Sequence, residues 1–288
     1  MNLLFAIDRK NIYLLFTCVF SILKNGNYDK YTIYVFHSDL CKDNIDEIIK
    51  FYNEIEWHFI LLNKEMFSSF PTFKRYPEQI YYRLAAPLLL PKDLDRILYL
   101  DVDTIVIHSL KEIYEIDFEN NLFVATTNTK DFLTKINQLR LGISIRDEIP
   151  YVNTGVLLMN LKKLRNELSM NDIRKFMESK KNILFLPDQD ILTGLYGHKV
   201  KIVDNLRFNL SDRAIRLHNL RSKNEEININ WVKENTTIIH FYGTNKPWNE
   251  DYKGELGEFY YKIVEELYLR IQKYNIEKNL VGGQYERI

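Results

Sequence analysis

Asp101 and Asp103 stand one residue apart in Arg96-Ile97-Leu98-Tyr99-Leu100-Asp101-Val102-Asp103-Thr104-Ile105-Val106-Ile107, an apolar run that otherwise reads as one buried strand. In an extended segment residues i and i+2 point to the same side, so the two carboxylates are predicted to converge while Val102 faces away. Paired hard oxygen ligands suit Mg or Mn. The competing reading is a polar strand end whose carboxylates cap nearby backbone, and this stretch alone does not separate the two. His240 ends a second buried run, Thr236-Thr237-Ile238-Ile239-His240, and is followed by Gly243 and Lys246. A lone histidine on a strand is more often a satisfied core residue than a ligand. Here glycine would let backbone approach a phosphate and lysine would neutralise it, which tips the reading toward function. Asp188-Gln189-Asp190 sits at a helix start, where Pro187 fits the first turn and where an acidic residue is also a plain cap. Arg83 is the one cation in the apolar stretch Tyr81 to Pro91, with an exposed helix face as the ordinary alternative.

These residues need a scaffold, and the hydrophobic pattern supplies one. Leu3 to Ile7 reads as a strand, and Ile12, Leu15, Phe16, Val19, Ile22 and Leu23 keep the spacing of an amphipathic helix that Asn25-Gly26-Asn27 ends. Tyr31 to His37, Asn44 to Tyr52 and Trp57 to Leu62 continue as strand, helix and strand, the β-α-β-α-β order of a mostly parallel sheet. Such sheets bind ligands at the carboxyl ends of their strands, where Asp8 and Asp101 both fall. Tyr81 to Pro91 is predicted as a helix interrupted by Pro87. Leu122 to Thr127 reads as a strand, Asp131 to Leu139 as a helix, and Tyr151-Val152-Asn153-Thr154-Gly155 leads into a strand from Val156 to Met159. Ser169 and Asp172 signal a helix start, and Val200 to Val203 is a short strand. The polar stretch from Asn209 to Asn230 carries no readable element and is a candidate lid. The tail is helical from Leu256 to Tyr274, with Gly282-Gly283 expected to break it.

With 288 residues the chain can bury a large core. Lys+Arg number 39 and so do Asp+Glu, so there is no bulk pull toward nucleic acid. Cys18 lies in an apolar helical pattern and Cys41 in a polar turn, which implies neither a disulfide framework nor a thiolate zinc site. Residues 1–7 are broken by Asp8-Arg9-Lys10 too early for a signal peptide or a membrane span. A cytoplasmic protein is expected, at most peripherally bound at the inner face of a membrane.

Five ordered blocks resemble the family 8 retaining glycosyltransferases, which include bacterial lipopolysaccharide galactosyl- and glucosyltransferases and glycogenin. The blocks are Phe5-Ala6-Ile7-Asp8; Tyr82-Arg83-Leu84; Tyr99-Leu100-Asp101-Val102-Asp103; Asn153-Thr154-Gly155-Val156 with Asp188-Gln189-Asp190; and His240-Phe241-Tyr242-Gly243 with Lys246-Pro247-Trp248. The resemblance covers residues 1–250. It implies a single Rossmann-like domain of GT-A type over 1–250, with a central, mostly parallel mixed sheet, and a helical extension over 251–288. It also implies that Asp101, Asp103 and His240 hold Mn, with Mg as the other candidate, on the diphosphate of UDP-galactose or UDP-glucose. Gly243 and Lys246 would cradle the phosphates, and Ala6 and Asp8 would meet the uracil. Val102 would line the nucleotide, and Arg83, Asn153 and Asp188 would hold the sugar. Gln189 would lie beneath the anomeric carbon, with Asp190 as the other candidate nucleophile. A glycan or lipid-linked saccharide would be the acceptor, and Tyr151, Phe208 and Trp248 are candidate sugar-stacking rings.

The sequence departs from the family pattern in two places. Asn11 stands where relatives often place a tyrosine against uracil, with Tyr13 two residues on. Thr126-Thr127-Asn128 stands where relatives often carry an aspartate. Leu100-Asp101-Val102-Asp103-Thr104 also resembles the motif of haloacid-dehalogenase-like phosphatases, although those enzymes place it near the N-terminus. A catalytically inactive nucleotide-sugar-binding module is the non-enzymatic alternative.

Overall fold

The computed structural model describes residues 1–67, 70, 78–127, 131–144, 146, 147, 149–222 and 225–285. Its strands are β1 (Asn2–Ile7), β2 (Thr32–His37), β3 (Glu56–Leu61), β4 (Arg96–Leu100), β5 (Thr104–Val106), β6 (Phe123–Thr127), β7 (Val152–Asn160), β8 (Val200–Ile202) and β9 (Ile238–His240). Seven form one sheet in the order β3-β2-β1-β4-β7-β6-β8, and β5 pairs with β9 in a second. The half from β3 to β4 is parallel, whereas β7 runs antiparallel to both β4 and β6. β1 and β4 are neighbours, Leu3 beside Leu98, so Asp8 and Asp101 emerge at the same edge, as the pattern predicts.

The inner strands of the sheet are buried on both faces, which is why they read as unbroken apolar runs, whereas the edge strands β3 and β8 are partly exposed. Leu3, Phe5 and Ile7 pack with Leu15, Cys18, Val19 and Ile22 of the helix Ile12–Asn25, while Leu4 joins Tyr34, Phe36, Ile97 and Tyr99 on the opposite face. Each of these strand residues except Tyr34 is fully buried or nearly so, and burial contributes ~1.5–3 kcal/mol per large apolar side chain. The helix Ile12–Asn25 stops at Gly26, whose N–H donates to Ile22 O at 2.7 Å. The carboxyl-terminal helix Gly257–Tyr285 lays Leu267 on the first core and Tyr260 and Ile263 on a third, which also holds Ile105, Ile239 and Phe241. No helix among the described residues is long and apolar enough to cross a membrane.

Several expectations are corrected. The run Arg96 to Ile107 is not one extended strand: β4 ends at Leu100, residues 101–103 turn, and β5 joins a different sheet. Convergence of Asp101 and Asp103 therefore comes from the turn, not from strand alternation. Pro87 does not interrupt a helix, because 3₁₀ turns run from Glu78 to Ala85 and the helix Ala86–Leu89 starts there with Pro87 in its first turn. Asn153-Thr154-Gly155 lies within β7 instead of preceding it. The polar stretch is largely ordered, with helices at Asp212–Asn219 and Ile229–Asn235; Asn209, Leu210 and Ser211 are buried, so its start is floor and not lid. The last helix continues past Gly282-Gly283 to Tyr285.

Candidate active site

Three ligand-bearing side chains meet where the two sheets join. Asp101 leaves β4 with its N–H donating to Gly155 O at 2.8 Å, and Thr104 Oγ1 closes the turn by donating to Asp101 O at 2.8 Å. Thr104 pairs with His240 across β5 and β9, and Phe241 N–H donates to Asp103 O at 3.0 Å, so the histidine is delivered beside the turn. His240 Nε2 lies 3.1 Å from Asp103 Oδ1 and 3.8 Å from Asp101 Oδ2. One ligand atom from each of the three residues falls within 4.8 Å of the others.

Two observations fit a divalent cation here. Carboxylate and imidazole donors together suit Mn. Gly155 leaves the space: a Cβ there would meet His240 Cε1 at 2.2 Å and Asp101 Oδ2 at 2.7 Å, so only glycine lets β7 pass under both ligands. Burial would raise the Asp103 carboxyl, but the His240 ring and the Lys246 ammonium hold it well below the usual carboxylate range. Lys246 pairs with Asp103 and donates to Phe241 O at 2.6 Å. Gly243, between them in sequence, has φ +90, a left-handed backbone that favours glycine.

Arg83 ties this cluster to the next. It is buried, not on an exposed helix face, with Nη2 donating to Asp101 Oδ1 at 3.0 Å and Nη1 donating to Thr154 O. Its guanidinium sits 4.3 Å over the Tyr99 ring, and Tyr99 OH donates to Asp101 Oδ1 at 2.6 Å. Asp188 Oδ2 lies 3.7 Å from Arg83 Nη1 and accepts from Thr154 Oγ1 at 2.5 Å. Burial raises the Asp188 carboxyl, opposed by Arg83 and the threonine hydroxyl.

The helix Pro187–Tyr196 begins as predicted, and its three polar residues part ways. Asp190 is fully buried and accepts five hydrogen bonds: Arg140 Nη1 at 2.9 Å and Nη2 at 2.5 Å, Tyr151 OH at 2.8 Å, and the N–H groups of Phe185 and Leu186 at 2.7 and 3.2 Å. With every lone pair taken it anchors the helix start and has nothing left to offer a reacting carbon. Gln189, between two buried carboxylates, is half-buried, and its amide has no hydrogen-bond partner among the described residues.

At the carboxyl end of β1, Ala6 is half-buried, and Asp8 Oδ1 accepts from Asn11 N at 3.1 Å and Asn11 Nδ2 at 2.8 Å. Asn11 thus fastens Asp8 and is not positioned as a free stacking group. Tyr13 packs edge-on against Trp248, with centroids 6.3 Å apart, and Trp248 lies under Lys246 Nζ at 5.3 Å. Val102 is half-buried against the first core. Of the candidate stacking rings, Tyr151 and Phe208 are buried in the interior, which leaves Trp248. Asn128 lies outside the described residues.

The family model for glycosyl transferase family 8 matches residues 2–252. The chain belongs to glycosyl transferase family 8. A putative glycosyltransferase of Haemophilus influenzae is 29% identical over 87% of this chain and 73% of its own length. A lipopolysaccharide 1,2-glucosyltransferase of Escherichia coli is 25% identical over 80% and 68%. The crystal structure of the galactosyltransferase LgtC with donor and acceptor sugar analogues superposes with TM-score 0.77 at 23% identity, covering 92% of this chain and 96% of that one. The fold is therefore the GT-A type of that enzyme, and the phosphatase reading is set aside.

Within this family 8 chain, the structure gives roles to residues for which the sequence suggested none. Gly155 makes room, Thr154 and Tyr99 orient the carboxylates, and Arg140 neutralises Asp190. Thr126 accepts a hydrogen bond from Asn209 at 2.6 Å. Apart from Tyr99, which lies two residues from Asp101, each acts through a partner distant in sequence and so carries no local signal.

Proposed function

We propose that this family 8 enzyme transfers a hexose, galactose or glucose, from a UDP-sugar to a hydroxyl of a glycan or lipid-linked saccharide, with retention at the anomeric carbon. The observation that carries this reading is the convergence of Asp101, Asp103 and His240 within 4.8 Å of one another, coupled through Arg83 to Asp188. A Mn ion held by the three would act as a Lewis acid on the diphosphate. Lys246 and the left-handed Gly243 bind the phosphates, with the lysine exchanging its Asp103 partner for phosphate oxygen. Ala6, Asp8 and Val102 meet the nucleoside; Arg83, Asn153 and Asp188 hold the sugar.

Retention requires either attack on the face the diphosphate leaves or two inversions through a covalent intermediate. Gln189 is a weak nucleophile because an amide oxygen lacks the charge of a carboxylate, and Asp190 is already saturated. The pathway this favours is same-face attack: the bond from C1 to the phosphate oxygen breaks as the acceptor oxygen bonds to C1. The acceptor proton passes to the departing phosphate, and the unpaired Gln189 amide oxygen stabilises positive charge on the sugar. A lipid-linked acceptor would place the enzyme in the cytoplasm, at the inner face of the membrane. A panel of UDP-sugars with Mn, read as UDP release and as the anomeric configuration of the product, tests the proposal. Release from a UDP-hexose with a retained anomer is expected; an inverted product, or no release from any UDP-sugar, would overturn it.

A further inference from the structure

Asn209 is fully buried next to the metal-type cluster, and its carboxamide is used at both ends. Oδ1 lies 2.8 Å from His240 Nδ1, while Nδ2 donates to Thr126 Oγ1 at 2.6 Å and to Asn153 Oδ1 at 2.8 Å. The direction of this chain is fixed by a group that cannot flip. Gly155 N–H donates to Asn153 Oδ1 at 3.0 Å, which identifies that atom as the amide oxygen. The Asn209 atom facing it must then be the NH₂, so the Asn209 oxygen faces His240. An oxygen in that place accepts only, and His240 must carry its proton on Nδ1. Nε2 thereby faces Asp103 Oδ1 and Asp101 Oδ2, at 3.1 and 3.8 Å, and offers them a lone pair only when the ring is neutral. Either a second ring proton, which pairs with Asp103, or a bound cation must lie between Nε2 and the two carboxylates, and a cation takes the place of that proton while Asn209 keeps the one on Nδ1.

The backbone around Asn209 is fixed to the same strand as the histidine. Leu210 N–H donates to Ile238 O at 3.0 Å, and His240 N–H donates to Leu210 O at 2.7 Å. Side chain and ring therefore hold one register.

We infer that Asn209 is a positioning residue that locks His240 as the Nδ1–H tautomer and so presents Nε2 to a divalent cation. It also links that histidine to Asn153, one of the residues proposed to hold the sugar. The inference rests on the proposed cation site. An outer partner that orients a ligating histidine is commonly worth 10–100-fold in metal affinity.

The test uses the whole chain titrated with Mn alone. Free ion is followed by continuous-wave electron paramagnetic resonance, and nitrogen coupling to bound Mn by the pulsed method. Wild type should bind Mn with a directly coordinated imidazole nitrogen. Asn209→Leu should lose ~10–100-fold in affinity together with that coupling. Asn209→Asp gives up the donation to Asn153 Oδ1 and should be less stable, but it keeps an oxygen facing Nδ1 and should retain the coupling. A folded N209L that binds like wild type, or an N209D without nitrogen coupling, overturns the inference. If N209L does not fold, N209D alone decides. Wild type without nitrogen coupling would instead sink the cation site itself, a failure distinct from that of Asn209.

Discussion

Gly155→Ala adds one methyl group and should dismantle the proposed cation site. The new Cβ would lie 2.2 Å from His240 Cε1 and 2.7 Å from Asp101 Oδ2, so the ring and the carboxylate must move apart by about an ångström or more. Neither can do so freely. Asp101 is held by Arg83 and Tyr99, and His240 by Asn209. Overpacking costs ~1–3 kcal/mol, and the gain from replacing a strand glycine offsets only ~0.5–1 kcal/mol. The apoprotein should therefore lose a few degrees of melting temperature, on the order of 2–4 °C per kcal/mol. The larger effect is on Mn. At a concentration of ~100 times the wild-type dissociation constant, binding adds ~2.7 kcal/mol of stability, and a tenfold weaker site loses ~1.4 kcal/mol of it. Thermal melts with and without Mn read both terms. A variant that melts like wild type and gains the same shift from Mn would refute the cradle argument.

Arg140→Met leaves Asp190 buried without its cation, and urea denaturation should show a loss of ~3–5 kcal/mol; a loss under ~1 kcal/mol would mean that the helix start is held otherwise. Asp188 has its carboxyl raised by burial, so its folded-state value lies above the unfolded one. Its contribution to stability is then present below the ordinary carboxylate range and lost as pH rises through the folded value. Asp188→Asn should accordingly gain on wild type at neutral pH, and the gap should close on acidification; a gap that does not change with pH contradicts this. Burial pushes the Cys18 thiol up to about 12, whereas Cys41 is exposed, so one thiol should react with a disulfide reagent in the native protein and the second only on unfolding.

How much of this was legible from the chain depends on the range over which each cause acts. β1 to β4 were readable because strand and helix periodicities are local, and both faces of the sheet are apolar. Asp101, Asp103, His240 and Lys246 were legible as candidate ligand and phosphate-binding types from their chemistry and order along the chain. Their geometry was not. The strand-alternation argument for Asp101 and Asp103 failed because a tight turn sends β5 into a different sheet, where pairing with β9 supplies the histidine. Asn209 sits in a polar stretch with no period, and its partners Thr126, Asn153 and His240 lie 83, 56 and 31 residues away. Arg83 read equally well as an exposed helical cation, because only the tertiary fold brings Asp101, Thr154 and Asp188 around it. Asp190 invited a chemical role by its neighbours in sequence, and the five donors that occupy it come mostly from distant elements.

The central claim is that the Asp101, Asp103 and His240 cluster drives loss of UDP from a sugar donor. It is tested most directly by UDP release from UDP-galactose and UDP-glucose, with and without Mn, in wild type and Asp103→Asn. The account predicts Mn-dependent release by wild type and none by the variant at an unchanged far-ultraviolet spectrum. Equal release by a folded Asp103→Asn, or release by wild type that ignores Mn, would contradict it.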